Sequence, residues 1–96
     1  MPKGGEVNWI KKELKIGNEL GLHARAAAKL VKLANRFPCE IFIRKGESMA
    51  NSKSIMGLLT LAAGKGSVIN IEARGEEAEL ALTAIEDLIN SKFGEV

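Results

Sequence analysis

Two stretches of this chain, residues 39–44 and 68–73, place apolar side chains at every second position. Ile41 and Ile43 alternate with Glu40, Phe42 and Arg44, and Ile69, Ile71 and Ala73 alternate with Asn70 and Glu72. A period of two is that of a strand buried on one face only. Strands of that kind pair in antiparallel sheets with one wet face, and helices have to cover the dry face. The sequence supplies the cover. Residues 76–91 carry Ala78, Ala81, Leu82, Ile85, Leu88 and Ile89 as an apolar stripe, with Glu76, Glu77 and Glu79 at the N-terminal end, where the helix dipole favours acids. Residues 24–36 carry a second stripe in Ala24, Ala27, Leu30, Val31 and Ala34, closed by Pro38.

The remaining elements complete an order βαββαβα. A first strand is expected over 10–16, where Leu14 and Ile16 alternate after Trp9. Lys45-Gly46-Glu47 is a turn, and residues 48–51 have room for only a short strand. Asn51, Ser52 and Ser54 are good N-caps for a short helix over 55–61, followed by a loop over 62–66. With Leu58 and Leu61 turned inward, Ile55, Met56 and Leu59 share the outer side, and an exposed apolar patch on so small a chain marks a partner site. Residues 1–6, with Pro2, Gly4 and Gly5, read as a loose tail, and residues 7–96 as one domain.

Charge and composition exclude several classes. A net charge of +2 does not by itself argue for nucleic acid, and the aromatics are only Trp9, Phe37, Phe42 and Phe93, too few for a base-stacking surface. The basic residues matter by position instead. Arg25, Lys29, Lys32 and Arg36 recur at intervals of four, three and four, forming a stripe without an acid. It is either a solvated helix face or a docking surface for acidic partners. Cys39 is alone, so no intrachain disulfide forms, and one cysteine with one histidine cannot build a conventional zinc site. Cys39 is expected to be a buried strand residue without a redox role. No apolar run approaches the ~18 residues of a membrane span, and a cytoplasmic protein is expected.

The only histidine, His23, follows the turn-forming Gly17-Asn18-Glu19-Leu20-Gly21 and precedes an alanine-rich segment of high helix propensity. It therefore stands at a loop-to-helix junction, where backbone N–H groups lack intrahelical partners and the potential is positive. A phosphate is welcome there. A neutral imidazole nitrogen is a nucleophile, and the fork of donors on Arg25 suits a phosphoryl group. The same pattern also fits a surface histidine or a simple N-cap.

Gly21-Leu22-His23-Ala24-Arg25, with Lys53-Ser54-Ile55-Met56-Gly57 some thirty residues later, strongly resembles the HPr family. These are the histidine-containing phosphocarriers of the phosphoenolpyruvate-dependent sugar phosphotransferase system. The resemblance extends over about residues 7–94 and implies an α+β open-faced sandwich, four antiparallel strands covered on one face by three helices. It implies that His23 carries the phosphoryl group on Nδ1, received from enzyme I and passed to IIA components of sugar permeases. Arg25 would stabilise the transferring group, and Ser54 would be the serine modified by an HPr kinase/phosphorylase. The docking surface would comprise Ala24, Ala28, Lys32, Ile55, Met56 and Leu59. Such a protein is a carrier rather than an independent enzyme, uses no cofactor or metal, and is expected to be a monomer. One departure concerns Ala26, three residues after the histidine, where the family usually has proline. Ala26 either loosens the first helical turn or leaves one more N–H directed at the phosphate. A regulatory relative of nitrogen type would use the same histidine. A relative controlled only through Ser54 would lack it, and a nucleic-acid-binding domain would have to rely on the basic stripe alone.

Overall fold

The computed structural model describes residues 9–95, so the expected tail over 1–6 lies outside the described residues. Four strands, β1 (Ile10–Lys15), β2 (Glu40–Lys45), β3 (Ser48–Asn51) and β4 (Val68–Arg74), form one sheet in the order β1-β4-β2-β3. Every neighbouring pair is antiparallel. β4 thus lies between the parallel strands β1 and β2, and β2 lies between the parallel strands β3 and β4. Each parallel pair is joined through a helix: α1 (Ala24–Ala34) between β1 and β2, α2 (Ile55–Thr60) between β3 and β4. The third helix, α3 (Ala78–Asn90), packs on β1 and β4 and against α1, while α1 packs on α2. The expected fold class holds.

The period-two segments bury the side chains they were expected to bury. Leu14, Ile41, Ile43, Ile69, Ile71 and Ala73 enter one core with Ala27, Leu30, Leu58, Ala81, Ile85 and Ile89 from the helices. Each fully buried Ile or Leu contributes about 1.5–3 kcal/mol relative to exposure, which makes this layer the main source of stability. Ala78, Leu82 and Leu88 are partly buried against it, so the stripe of the final helix is as expected. The open face of the sheet combines ion pairs with the edge-to-face rings of Trp9 and Phe42. Arg44 bonds Glu72, Arg74 bonds Glu40, and Arg74 also lies 4.5 Å from the ring centre of Trp9.

Several boundaries differ from expectation. α1 ends at Ala34, before Arg36, because the chain tightens into 3-residue turns there: Arg36 N–H donates to Leu33 and Phe37 N–H to Ala34. α3 begins at Ala78 rather than at residue 76, since Glu77 takes a left-handed conformation (φ 65°) at the N-cap. β2 extends through Lys45, β4 through Arg74, and α2 stops at Thr60 with the buried Leu61 as its C-cap. In α1 the buried alanines are Ala26 and Ala27, whereas Ala24, assigned to the core stripe, is exposed. In the alanine-rich first turn of α1, side-chain size offers no contrast from which to read a face. The final unforeseen element is a short 3-10 turn, Lys92–Gly94, in which Lys92 and Phe93 both have positive φ. Phe93 is fully buried and anchors the segment that follows α3.

Candidate functional site

The site is built where β1 ends, α1 begins and the chain leaves α3. Ile16 N–H donates to Ser67, and Gly66 N–H donates back to Ile16, so the end of β1 is fastened to the approach to β4. The loop then turns over Asn18–Gly21, closed by Gly21 N–H on Asn18 at 3.1 Å. Gly21 has φ +64°, and a Cβ there would stand 2.5 Å from the carbonyl oxygen of Ala63. Only glycine permits that approach, and Leu22 N–H then donates to the same oxygen at 2.8 Å. This docking sets where the next residue, His23, enters α1.

His23 occupies the N-cap position with extended backbone (φ −82°, ψ −179°), and its side chain makes no capping bond. The simple-cap alternative is therefore not what the side chain does. The first intrahelical bond is Ala27 N–H to His23, so the amides of Ala24, Arg25 and Ala26 have no helical carbonyl to bond. Ala26 keeps an N–H where a proline would leave only the first two amides. Ala26 is also fully buried, so the turn is held by packing in place of a ring.

The imidazole is engaged by a residue that the sequence did not single out. His23 Nε2 lies 2.5 Å from Glu95 Oε2, and the other carboxylate oxygen accepts from Asn18 Nδ2 at 2.9 Å. Asn18 Nδ2 also donates to the Gly21 carbonyl at 2.8 Å. These bonds, from His23 first and Asn18 next, hold the Glu95 carboxyl below its ordinary value of 4.5, with Lys29 adding to the effect. An ionised carboxylate only accepts, so the bonded Nε2 carries the hydrogen and a neutral ring presents Nδ1 as its free nitrogen. Lys29 Nζ donates to the Phe93 carbonyl at 2.6 Å, which ties α1 to the segment that delivers Glu95. The signal available in the sequence was slight: an apolar residue, a glycine and an acid just beyond the final helix.

The other candidates are distributed over α1 and α2. Arg25 is exposed on the first turn of α1 and makes no hydrogen bond or ion pair among the described residues, leaving its guanidinium free. Ala28 and Lys32 are exposed on the same helix, and Arg36 is exposed in the turn just beyond its end. Ser54 is the N-cap of α2, and its Oγ accepts from Gly57 N–H at 3.0 Å. Ile55 and Met56 are exposed, Met56 the more so at 72%. Leu59 departs from expectation: it is half-buried against the core, because Leu58 and Leu61 draw that side of the short helix inward. Glu19 pairs with Lys65 at the surface, which lowers its carboxyl from the usual range. Cys39 is buried and free, and burial pushes its thiol up. Among the described residues no group of three or more His, Cys, Asp or Glu stands together as a metal site, and no helix is long and apolar enough to cross a membrane.

The family model for the PTS HPr component phosphorylation site matches residues 10–91. The chain belongs to the HPr family. Its role in general terms is that of a phosphocarrier of the phosphotransferase system. Phosphocarrier protein HPr of Neisseria meningitidis is 48% identical over 86 residues, covering 90% of this chain and 97% of that protein. Phosphocarrier protein NPr of Shewanella violacea is 45% identical, covering 90% of this chain and 94% of that protein. Among solved structures, HPr-C-His from Thermoanaerobacter tengcongensis superposes with a TM-score of 0.87 at 41% identity, covering 91% of this chain and 98% of that one. The free amides of α1, the open Nδ1 and the exposed Arg25 all belong to one helical turn.

Proposed function

We propose that this HPr-family chain carries a phosphoryl group on Nδ1 of His23, taken from phosphorylated enzyme I and handed to IIA components of permeases. The observation that carries this reading is the bond of His23 Nε2 to Glu95, which leaves Nδ1 as the free nitrogen at the head of α1. Three amides without helical partners and the partial positive charge of the helix end favour the phosphoryl oxygens there. Arg25 swings its fork of donors onto the transferring group. Phosphoryl transfer needs placement and charge stabilisation more than covalent machinery, so a small carrier can perform it with the partner's site closing around it.

Docking falls to Ala24, Ala28 and Lys32 on α1 and to Ile55, Met56 and the partly covered Leu59 on α2. The two helices pack together, and their exposed residues combine apolar contact with positive charge. Ser54 is the regulatory position in this reading. Phosphate on its Oγ is tolerated by the α2 N-terminus but adds negative charge beside the apolar patch, which opposes binding of acidic partners. The chain works as a cytoplasmic monomer, with residues 7–96 as its phosphocarrier domain.

Incubation with enzyme I and phosphoenolpyruvate, followed by intact-mass measurement at neutral pH, tests the proposal. One acid-labile phosphoryl group is expected, absent from His23→Ala. No modification by an enzyme I that is active on another HPr overturns it. The similarity to a relative named NPr favours a second reading, in which the same histidine serves nitrogen-type signalling. Competition between sugar-type and nitrogen-type enzyme I for this chain separates the two, since the faster donor identifies the system.

A further inference from the structure

We infer that the groove between α1 and α3 is a second anchor for the protein that docks over His23, and that it takes an apolar side chain flanked by carboxylates. The inference deepens the carrier reading and rests on it.

The groove is built by helix spacing. Lys29, Lys32, Leu33 and Arg36 stand at i, i+3, i+4 and i+7, so they share one side of α1 and the turn beyond it. Leu88 reaches the same hollow from α3, and the five residues line about 240 Å³ that opens to solvent. Leu33 and Leu88 form its apolar floor, each packed against the core yet only half-buried. The volume is below the roughly 300–1,000 Å³ of small-molecule pockets. It suits a single side chain presented by a protein surface.

Charge decides what flanks that side chain. Three of the five lining residues are cations, and none is an acid. Lys29 is held in place by its bond to the Phe93 carbonyl. Lys32 and Arg36 are exposed and form no ion pair among the described residues. By contrast, Lys12, Arg44, Lys65 and Arg74 each have a carboxylate partner within the chain. An unmatched basic row over an apolar floor is complementary to carboxylates set around an apolar group.

Position decides whose side chain it is. Arg25 heads the same row on the first turn of α1, and Lys32 lies about 10 Å further along the axis at 1.5 Å per residue. A protein interface covers about 800 Å² on each partner, roughly 30 Å across, so a partner seated over His23 reaches the groove. The basic row then runs between two apolar contacts. Ile55 and Met56 of α2 flank it on one side, Leu33 and Leu88 on the other.

The test is single-turnover transfer from phosphorylated enzyme I to this chain, and from the phosphorylated chain to a IIA component, against partner concentration. Wild type is compared with Arg36→Glu, Leu88→Glu and Leu80→Glu. Leu80 is 64% exposed on α3 outside the groove, so its variant controls for an added acid on that helix. Arg36→Glu and Leu88→Glu should each raise the half-saturating concentration of enzyme I or of IIA about tenfold, with the rate at saturation unchanged within about twofold, the pattern of lost docking. Leu80→Glu should match wild type. Should half-buried Leu88 not tolerate the acid, exposed Arg36 carries the comparison. In parallel, methyl NMR signals of Leu33 and Leu88 should move when unphosphorylated enzyme I or IIA is added to wild type, while those of Leu80 stay. Groove methyls that do not move, half-saturation unchanged by Arg36→Glu with both partners, or Leu80→Glu as impaired as Leu88→Glu overturns the inference. If wild type accepts no phosphoryl group, the carrier reading fails instead, and the methyl signals still decide whether the groove is a docking site.

Discussion

Replacing Gly21 by alanine tests whether the loop that delivers His23 is set by close backbone approach, and Gly46→Ala supplies the matched control. Both glycines have left-handed backbone, φ +64° at Gly21 and +61° at Gly46, so each substitution incurs the same conformational cost of roughly 1–2 kcal/mol. A lower entropy of the unfolded chain returns about 0.4–1 kcal/mol to both. Their surroundings differ. A Cβ at Gly46 meets nothing within 4 Å, whereas one at Gly21 stands 2.5 Å from Ala63 O and 2.7 Å from Gly64 Cα. These are backbone atoms, so no side chain can turn aside. Overpacking of this kind costs about 1–3 kcal/mol. Moving Ala63 away also stretches the bond it accepts from Leu22 N–H, about 1 kcal/mol more. The expected loss is about 1 kcal/mol for Gly46→Ala and about 3–5 kcal/mol for Gly21→Ala, read as midpoint shifts at constant slope in urea at 25 °C. Losses within about 0.5 kcal/mol of one another would refute the reasoning, because only the shared backbone strain would then matter.

Three further outcomes are expected. The Glu95 carboxyl is held below 4.5 in the folded state, so its ionised form contributes stability that is present above that value and is lost as pH falls through the folded one. The stability gap between wild type and Glu95→Gln should therefore be open at neutral pH and close on acidification, measured by urea unfolding at a series of pH values. Ser54→Ala should lose about 1 kcal/mol by removing the cap on Gly57 N–H, while Ser54→Asp, which can still accept that bond, should stay nearer wild type in the same assay. Cys39 is 3% exposed with its thiol pushed up, so a thiol reagent should modify it in native buffer only at the rate of opening and at once in guanidinium.

The layers of the fold were legible because they depend on contrast. Ile41, Ile43, Ile69 and Ile71 stand against polar neighbours, and the stripe of α3 stands against acids and amides, so period alone told buried from exposed. Contrast is missing at the start of α1, where Ala24, Ala26, Ala27 and Ala28 look alike, and there the spacing points to Ala24 while the core takes Ala26 and Ala27. Leu59 is half-buried although its spacing points outward, because a helix of six residues is too short for its stripe to average out end effects. The candidate site was legible only in its local part. His23, Arg25 and Ser54 lie in two short motifs, and their placement at the N-caps and first turn of helices follows from neighbours in sequence. Glu95 was invisible to that reasoning. It is 72 residues from His23, and it arrives only because Lys92 and Phe93 adopt positive φ and Phe93 is buried. Nothing in the composition of residues 92–95 announces that turn. Asn18 read simply as a turn former, and its second role exists only once Glu95 is beside it.

The most direct test of the central claim is to locate the phosphorus. The chain, labelled with nitrogen-15 at histidine and phosphorylated by enzyme I, is examined by NMR for which ring nitrogen is coupled to phosphorus. The account predicts phosphorus on Nδ1 of His23 with a hydrogen retained on Nε2. Phosphorus on Nε2 would mean that the bond to Glu95 does not set the reacting nitrogen, and phosphorus on any other residue would contradict the role given to His23.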